Sequence, residues 1–288
     1  QAVPESRLKH HPAVDCSAEA RLAHARGQSL PDWIALRSGR IGCYPDGVIF
    51  PQSGEEVQEL LRFARQNRIR LIPYGGGTSV VGHINPLPGE QPVLSVDMSR
   101  MATLLELDER SHLARFQAGV TGPELEQQLN RRGFTLGHYP QSFEYSTLGG
   151  WVATRSSGQQ SYYYGRIEAL FAGGIAETPQ GRWDFRSLPA SAAGPDLRHL
   201  VMGSEGRLGI ITRATTAQAS TMARPSDCAS DRNGLVPGVD TIAAHPRGRA
   251  GTRPARTNDV FPAPDGPSNA SSRRRPSFVH SAATSCSR

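Results

Sequence analysis

The stretch Arg70-Leu71-Ile72-Pro73-Tyr74-Gly75-Gly76-Gly77-Thr78-Ser79 decides how this chain is read. A strand-like run ends in three consecutive glycines, followed at once by two hydroxyl residues. Glycine has no Cβ and accepts positive φ, so such a loop can turn tightly and present bare backbone N–H groups to an anion. At a strand end that anion is usually a phosphate or pyrophosphate; taken alone, the triplet fits a plain turn equally well. Two familiar phosphate loops are excluded. A P-loop requires Lys and then Ser or Thr after its last glycine, whereas Gly82 is followed by His83 and Ile84. A dinucleotide fingerprint requires a third glycine and a helix opening at the loop. Here Pro86 and Pro88 forbid a helix just beyond it. A pyrophosphate is therefore expected on loop amides and on the Thr78 and Ser79 hydroxyls, not on a helix dipole.

Working outward, residues up to about 40 read as short helices, one starting at Ser29 with Pro31 in its first turn. Residues 47–50 read as a short strand. Ser53-Gly54-Glu55-Glu56 reads as a capping box, and Val57, Leu60, Leu61 and Ala64 fall on one helical face. This makes a strand–helix–strand unit that delivers the glycine loop to a strand's carboxyl end. Strand-like runs follow at 93–96, 104–107 and 113–120. Thr121-Gly122-Pro123-Glu124 opens a helix that Gly133 ends. The mixture argues for an α/β or α+β body.

Two further clusters stand out. Pro140-Gln141-Ser142-Phe143-Glu144-Tyr145-Ser146-Thr147-Leu148-Gly149-Gly150-Trp151 runs on into Thr154-Arg155-Ser156-Ser157-Gly158. Small and hydroxyl residues at this density let a planar or phosphorylated ligand approach the backbone. The step at Thr147 could also cap a short helix whose amides face that ligand; an ordinary loop and helix start reads the same way. Gly203-Ser204-Glu205-Gly206-Arg207-Leu208-Gly209-Ile210-Ile211-Thr212 is a glycine-rich turn entering a buried strand.

Together, in this order, the three clusters resemble the FAD-binding domain of the vanillyl-alcohol oxidase superfamily, the p-cresol methylhydroxylase type, over about residues 45–215. The resemblance implies an α+β, two-subdomain FAD-binding domain. It implies that Pro73, Tyr74, Gly75, Gly76, Gly77, Thr78 and Ser79 take the pyrophosphate. Pro140, Gln141, Ser142, Ser146, Thr147, Gly149, Gly150, Thr154, Arg155, Ser156, Ser157 and Gly158 line the flavin and its ribityl chain. Glu205, Gly206, Leu208, Gly209, Ile210 and Ile211 contact FAD at the strand entry. Gly137-His138 before Pro140, together with the Ser146 to Gly158 pattern, is similar to the alkylglycerone-phosphate synthase subgroup. That subgroup exchanges the acyl group of acyl-dihydroxyacetone phosphate for a fatty alcohol in ether-lipid synthesis, with no net redox change. The alternatives are an FAD-dependent 2-hydroxy-acid dehydrogenase of the D-lactate or glycolate type, and a non-catalytic remnant that at most binds FAD. Members that attach FAD covalently carry His in this loop where this chain has Gly or Thr, so non-covalent FAD is expected. His83 is read as an ordinary loop or core histidine, and the Tyr162-Tyr163-Tyr164 run is given no catalytic role.

The resemblance stops near residue 216. From Ala217 onward the chain carries ten Arg and five Asp but no Glu, and it has no helical or strand period. Such a segment cannot bury enough apolar surface to offset its ordering entropy. The expected organisation is a helical segment over 1–44, the FAD-binding domain over 45–216, and a disordered tail over 217–288, for which an out-of-frame translation is one hypothesis. The chain begins at Gln1, so its natural start is expected to be missing. The tail carries most of the net charge of +6, which argues against a basic groove for nucleic acid on the body. Four cysteines without metal spacing favour a reducing compartment, and the expected location is the cytoplasm. No metal site and no membrane span are expected. The expected partners are FAD and, in the intact protein, a small-molecule or lipid-precursor substrate, with a homodimer left open. No catalytic residue is assigned, because those of the synthases lie beyond the resemblance.

Overall fold

In chain order the fold comprises β1 (Val14–Asp15), α1 (Ala18–Ala23), α2 (Leu30–Ser38), β2 (Gly47–Ile49), α3 (Gly54–Gln66), β3 (Arg70–Tyr74), β4 (Val93–Asp97) and β5 (Leu104–Asp108). There follow β6 (Leu113–Gln117), α4 (Gly122–Asn130), β7 (Phe134–Thr135), α5 (Leu148–Thr154), β8 (Phe171–Thr178), β9 (Gly181–Phe185), β10 (Ile210–Ala217) and β11 (Ser220–Thr221). Single-turn helices lie at Ser161–Tyr164, Ile167–Leu170 and Arg198–Val201. The computed structural model describes residues 2–8, 12–188, 194–217 and 220–221. The expectations for the tail after residue 217 fall outside these described residues, apart from the short β11.

Two sheets form the α+β body. The first has the order β1-β2-β4-β3, with β4 parallel to both β2 and β3 and β1 antiparallel at the edge. The second is antiparallel, in the order β5-β6-β10-β8-β9. The strand–helix–strand unit is β2-α3-β3, and it leaves the glycine loop at the carboxyl end of β3. Val57, Leu60, Leu61 and Ala64 of α3 are all buried, and the first three pack in one core with Leu94, Val96, Met98 and Met101. Each of the Val, Leu and Met side chains is worth about 1.5–3 kcal/mol in transfer from water. The second sheet has its own core of Phe116, Leu125, Leu129, Leu148, Trp151 and Phe171.

The capping signals are realised with one difference. Ser29 and Asp32 form a reciprocal box at the start of α2. At α3 only half of the expected box forms. Ser53 Oγ accepts the Glu56 N–H at 3.2 Å, but the Glu56 carboxylate reaches past the cap to the Gln52 N–H at 2.8 Å. At α4 the Thr121 N–H and hydroxyl both donate to the Glu124 carboxylate, at 3.0 and 2.8 Å.

Three polar links join the parts. Arg7 donates from Nε and Nη2 to the buried Asp46 carboxylate, at 2.9 and 2.7 Å, and Asp46 also accepts the Val93 N–H. Gln58 of α3 donates to the fully buried Glu177 of β8 at 2.8 Å, and Arg182 bridges Glu55 and Glu177 at 2.9 and 3.0 Å. These bonds tie the first subdomain to the second. The third link is His24, buried with Nδ1 2.7 Å from the Ala20 carbonyl and Nε2 2.8 Å from Asp97.

Both partners of His24 are acceptors, so the arrangement favours the protonated ring, in which both nitrogens donate. Burial opposes that charge, but the hydrogen bonds to Asp97 and Ala20 outweigh it and raise the pKa above 6.5. Because the folded value is the higher one, the stabilisation is fully present below the unfolded pKa and is lost as pH rises through the folded pKa. We therefore expect a His24→Gln chain to lack the alkaline loss of stability seen in the wild type. Denaturant melts across that range check this, and superimposable pH profiles for the two chains would refute it.

Candidate cofactor site

A cavity of about 370 Å³ opens where the carboxyl end of β3 meets the start of α5 and the turn into β10. Its lining brings together Pro73, Tyr74, Gly75, Gly76, Gly77, Thr78 and Ser79 from the first cluster. From the second come Ser142, Ser146, Thr147, Gly149, Gly150, Thr154 and Ser156. Glu205, Gly206, Gly209, Ile210 and Ile211 come from the third. Three segments far apart in sequence therefore share one concave surface between the two sheets.

The glycines have a reason that spacing alone did not show. Gly75 lies against the Thr147 side chain and Gly76 against the Tyr145 carbonyl, so closely that neither has room for a Cβ. The loop backbone is thus packed against the 145–147 segment, on its backbone at Gly76 and on the Thr147 side chain at Gly75. Gly206 takes φ +79°, and a Cβ there would lie 2.9 Å from the Pro73 ring. Its neighbour Glu205 holds φ +52°, a left-handed conformation that side chains disfavour and that concentrates at ligand sites.

Hydrogen bonding separates the two places where an anion could sit. The first amides of α5 are already used. Leu148 N–H donates to Val120 O at 2.9 Å, Gly149 N–H to Ala118 O at 2.7 Å, and Gly150 N–H to Thr147 Oγ1 at 3.3 Å. The expectation of α5 amides facing a ligand is therefore corrected: this helix start serves the fold. By contrast, among the described residues no acceptor takes the N–H of Gly75, Gly76, Gly77, Thr78 or Ser79. Five successive unpaired amides beside two hydroxyls fit a pyrophosphate.

Second-cluster residues owe their positions to buried polar bonds. Glu126 of α4 accepts from Thr135 Oγ1 at 2.7 Å and from the N–H groups of Leu136 and Gly137 at 3.1 and 3.2 Å, which fixes the approach to His138. Trp151 Nε1–H donates to Ser146 Oγ at 2.7 Å. His138 is 1% exposed, with Nε2 2.7 Å from Ser156 Oγ and Nδ1 lacking a partner among the described residues. Burial pushes its pKa down to about 4, so the ring is neutral. A proton on Nδ1 would be an orphaned buried donor, so Nε2 carries it and donates to Ser156. The Ser156 hydroxyl then keeps its own proton for the cavity. Burial and the nearby Asp97 push Tyr74 up to about 12, so its hydroxyl stays protonated and donates to Ala23 O at 3.3 Å.

Several residues expected at the site do not line this cavity. Arg155 caps α5 and spends its guanidinium on Met202 O, His199 O and Glu168, at 3.0, 3.2 and 3.3 Å. Pro140 is buried in a turn whose carbonyl accepts the Phe143 N–H. Gly158 packs on the Tyr139 backbone, and Gln141, Ser157 and Leu208 face solvent. The lining also contains Val80, Val81, His83, Ile84, Met98 and Ala118, which the motifs did not mark, and Trp151 and Ala153 of the second cluster, for which no cofactor contact was expected. Met98 and Ala118 follow β4 and β6, and nothing local in their sequence distinguishes them from ordinary core residues. Tyr162 and Tyr163 are exposed.

Residues 45–183 match the FAD binding domain family. This part of the chain is a FAD-binding domain, and FAD is its cofactor. The chain is 46% identical over 195 residues to alkyldihydroxyacetonephosphate synthase of Dictyostelium discoideum, covering 68% of this chain and 32% of that protein. With the same enzyme of Trypanosoma brucei brucei the identity is 40% over 203 residues, covering 70% of this chain and 33% of that one. A solved structure of an alkyldihydroxyacetonephosphate synthase matches the fold with a TM-score of 0.71 at 40% identity, over 74% of this chain and 41% of that chain. The chain thus spans about a third of the length of the curated relatives it matches. Among the described residues no helix is long and apolar enough to cross a membrane.

Proposed function

We propose that this chain is the cofactor-binding portion of an alkyldihydroxyacetonephosphate synthase, holding FAD non-covalently for the exchange of an acyl group for a fatty alcohol on dihydroxyacetone phosphate. The observation that carries the reading is the run of five unpaired amides at 75–79 in a cavity built from all three sequence clusters. Identity to the synthases across these clusters supports it, and the hydroxy-acid dehydrogenase and remnant readings are not favoured over it. A cytoplasmic location and a homodimer are further parts of this proposal. The free Cys16 and Cys43 support the first, as a reducing compartment would leave them.

When bound, FAD supplies an electron-accepting isoalloxazine ring. The protein's contribution is binding and orientation. Amides 75–79 and the Thr78 and Ser79 hydroxyls neutralise the pyrophosphate. Met98, Ala118, Trp151 and Ile210, all buried, offer an apolar wall for the planar groups and exclude water. Ser156, oriented by His138, presents a hydroxyl proton. Neither a His nor a Cys stands within 73–79 to form a covalent link to the flavin.

The chain incubated with FAD and desalted should keep the flavin absorption bands, and acid precipitation should release all the flavin into the supernatant. A colourless protein, or flavin that precipitates with the chain, would refute non-covalent binding. Bleaching of the bound flavin by a 2-hydroxy acid would favour a dehydrogenase instead.

A further inference from the structure

We propose that His83 is a cofactor-positioning residue whose imidazole joins the glycine loop to the Glu205 turn across the cavity and takes up a proton when FAD binds. The proposal rests on reading residues 75–79 as the pyrophosphate cradle. His83 lines that cavity, with Nδ1 3.3 Å from Ser79 Oγ and 3.8 Å from Glu205 Oε2. Ser79 closes the run of unpaired amides, and Glu205 sits in the strained turn on the opposite subdomain. One ring therefore touches both walls of the site.

The ring is held in place by the fold around it. Its side chain is only 18% exposed, and the neighbouring Ile84 is buried. Asn85 donates to Asp32 at 2.7 Å and accepts the Gly27 N–H at 2.9 Å, while Ser79 O accepts the Gln28 N–H at 2.7 Å. The 79–85 loop is thus tied at both ends to the segment before and within α2.

Charge decides the protonation. The charged groups facing the ring are Glu205, which favours a proton, and Arg207, which opposes it. Burial is the largest influence, and with Arg207 it outweighs Glu205, so the ring is held neutral at physiological pH in the free chain. A pyrophosphate beside Ser79 adds negative charge on the side of Glu205. The balance tips, and a proton moves from solvent onto the ring with no other bond made or broken. The imidazolium then donates to the anion or to Glu205 and pulls the two walls together.

By linkage, a group whose pKa rises on binding makes binding tighter as pH falls. For the full chain, FAD affinity should tighten by about three- to tenfold between pH 8 and pH 6, within the limit of one proton. Calorimetric titration with FAD in buffers of different ionisation enthalpy should show a net proton uptake near pH 7. His83→Asn keeps a donor near the Nδ1 position but cannot titrate here, so it should bind FAD with no proton uptake and a flat pH profile. His83→Leu should bind about tenfold more weakly, again with a flat profile. Thermal melts establish that both variants are folded. Proton uptake unchanged in His83→Asn, or absent in the wild type despite binding, overturns this proposal and leaves the FAD site standing. Failure of the wild type to bind FAD at any pH overturns both.

Discussion

A Gly76→Ala chain should fold and yet lose FAD, with affinity falling by at least about a hundredfold, near 3 kcal/mol. The added Cβ would fall on the Tyr145 carbonyl, with Ser146 Cα 3.0 Å away. Both obstacles are backbone, so no rotamer change relieves them. The loop would have to move away from the 145–147 segment, taking with it the five amides on which the pyrophosphate depends. Remote folding should survive, since residues 75–79 lie outside both sheets. Flavin retained after desalting, measured beside the exposed control Ser157→Ala, reads the effect directly. An Ala variant that binds FAD as tightly as the control would show that this backbone contact does not set the site.

The largest stability loss is expected at Trp151. Its ring is 2% exposed, lying 4.9 Å from His138 and 6.4 Å from Phe143, with Nε1–H donating to Ser146. Truncation to Ala removes the ring and leaves a cavity in the second core, for a cost of about 3–5 kcal/mol. Ser146 also loses its donor. Trp151→Phe keeps most of the ring and gives up the hydrogen bond, so about 1–2 kcal/mol is expected from it. Because α5 forms one wall of the cavity, the Ala chain should also bind FAD more weakly. Urea melts with an unchanged slope and a lowered midpoint would match a pure stability loss. An Ala variant within about 0.5 kcal/mol of wild type would mean that Trp151 is a surface ring on a loose helix, contrary to its burial.

Much of the fold was legible because the signals are local. The apolar face Val57, Leu60, Leu61 and Ala64 has helical period, and the caps at Ser29 and Thr121 act within one turn. The interior strand β8 was not legible. Its Phe171-Ala172-Gly173-Gly174-Ile175-Ala176 run is buried almost throughout, so no alternation survives, and its two glycines look like a turn. Those glycines instead let β8 lie close to the Arg213 carbonyl on β10 and to the Phe185 carbonyl at the end of β9.

At the site the division is similar. The sequence by itself determined which segments carry the chemistry: glycines and hydroxyls at 75–79, small residues at 146–158 and the Glu205 turn are properties of composition that survive any placement. It also determined that no P-loop or helix-opening fingerprint is present, because His83 and Ile84 stand where the first needs Lys and a hydroxyl residue, and Pro86 and Pro88 forbid the helix of the second. Only the tertiary structure decided which amides remain free. The α5 amides bond to Val120, Ala118 and Thr147, while those of 75–79 find no acceptor among the described residues, and hydrogen-bond satisfaction depends on neighbours distant in the chain. Arg155, marked by its motif, is drawn away by the carbonyls of His199 and Met202. His83, which no motif marks, is brought to the cavity by a loop anchored at Gly27 and Asp32. Local spacing encodes the backbone's conformational freedom, whereas the partner of each polar group is set when two subdomains close on one another.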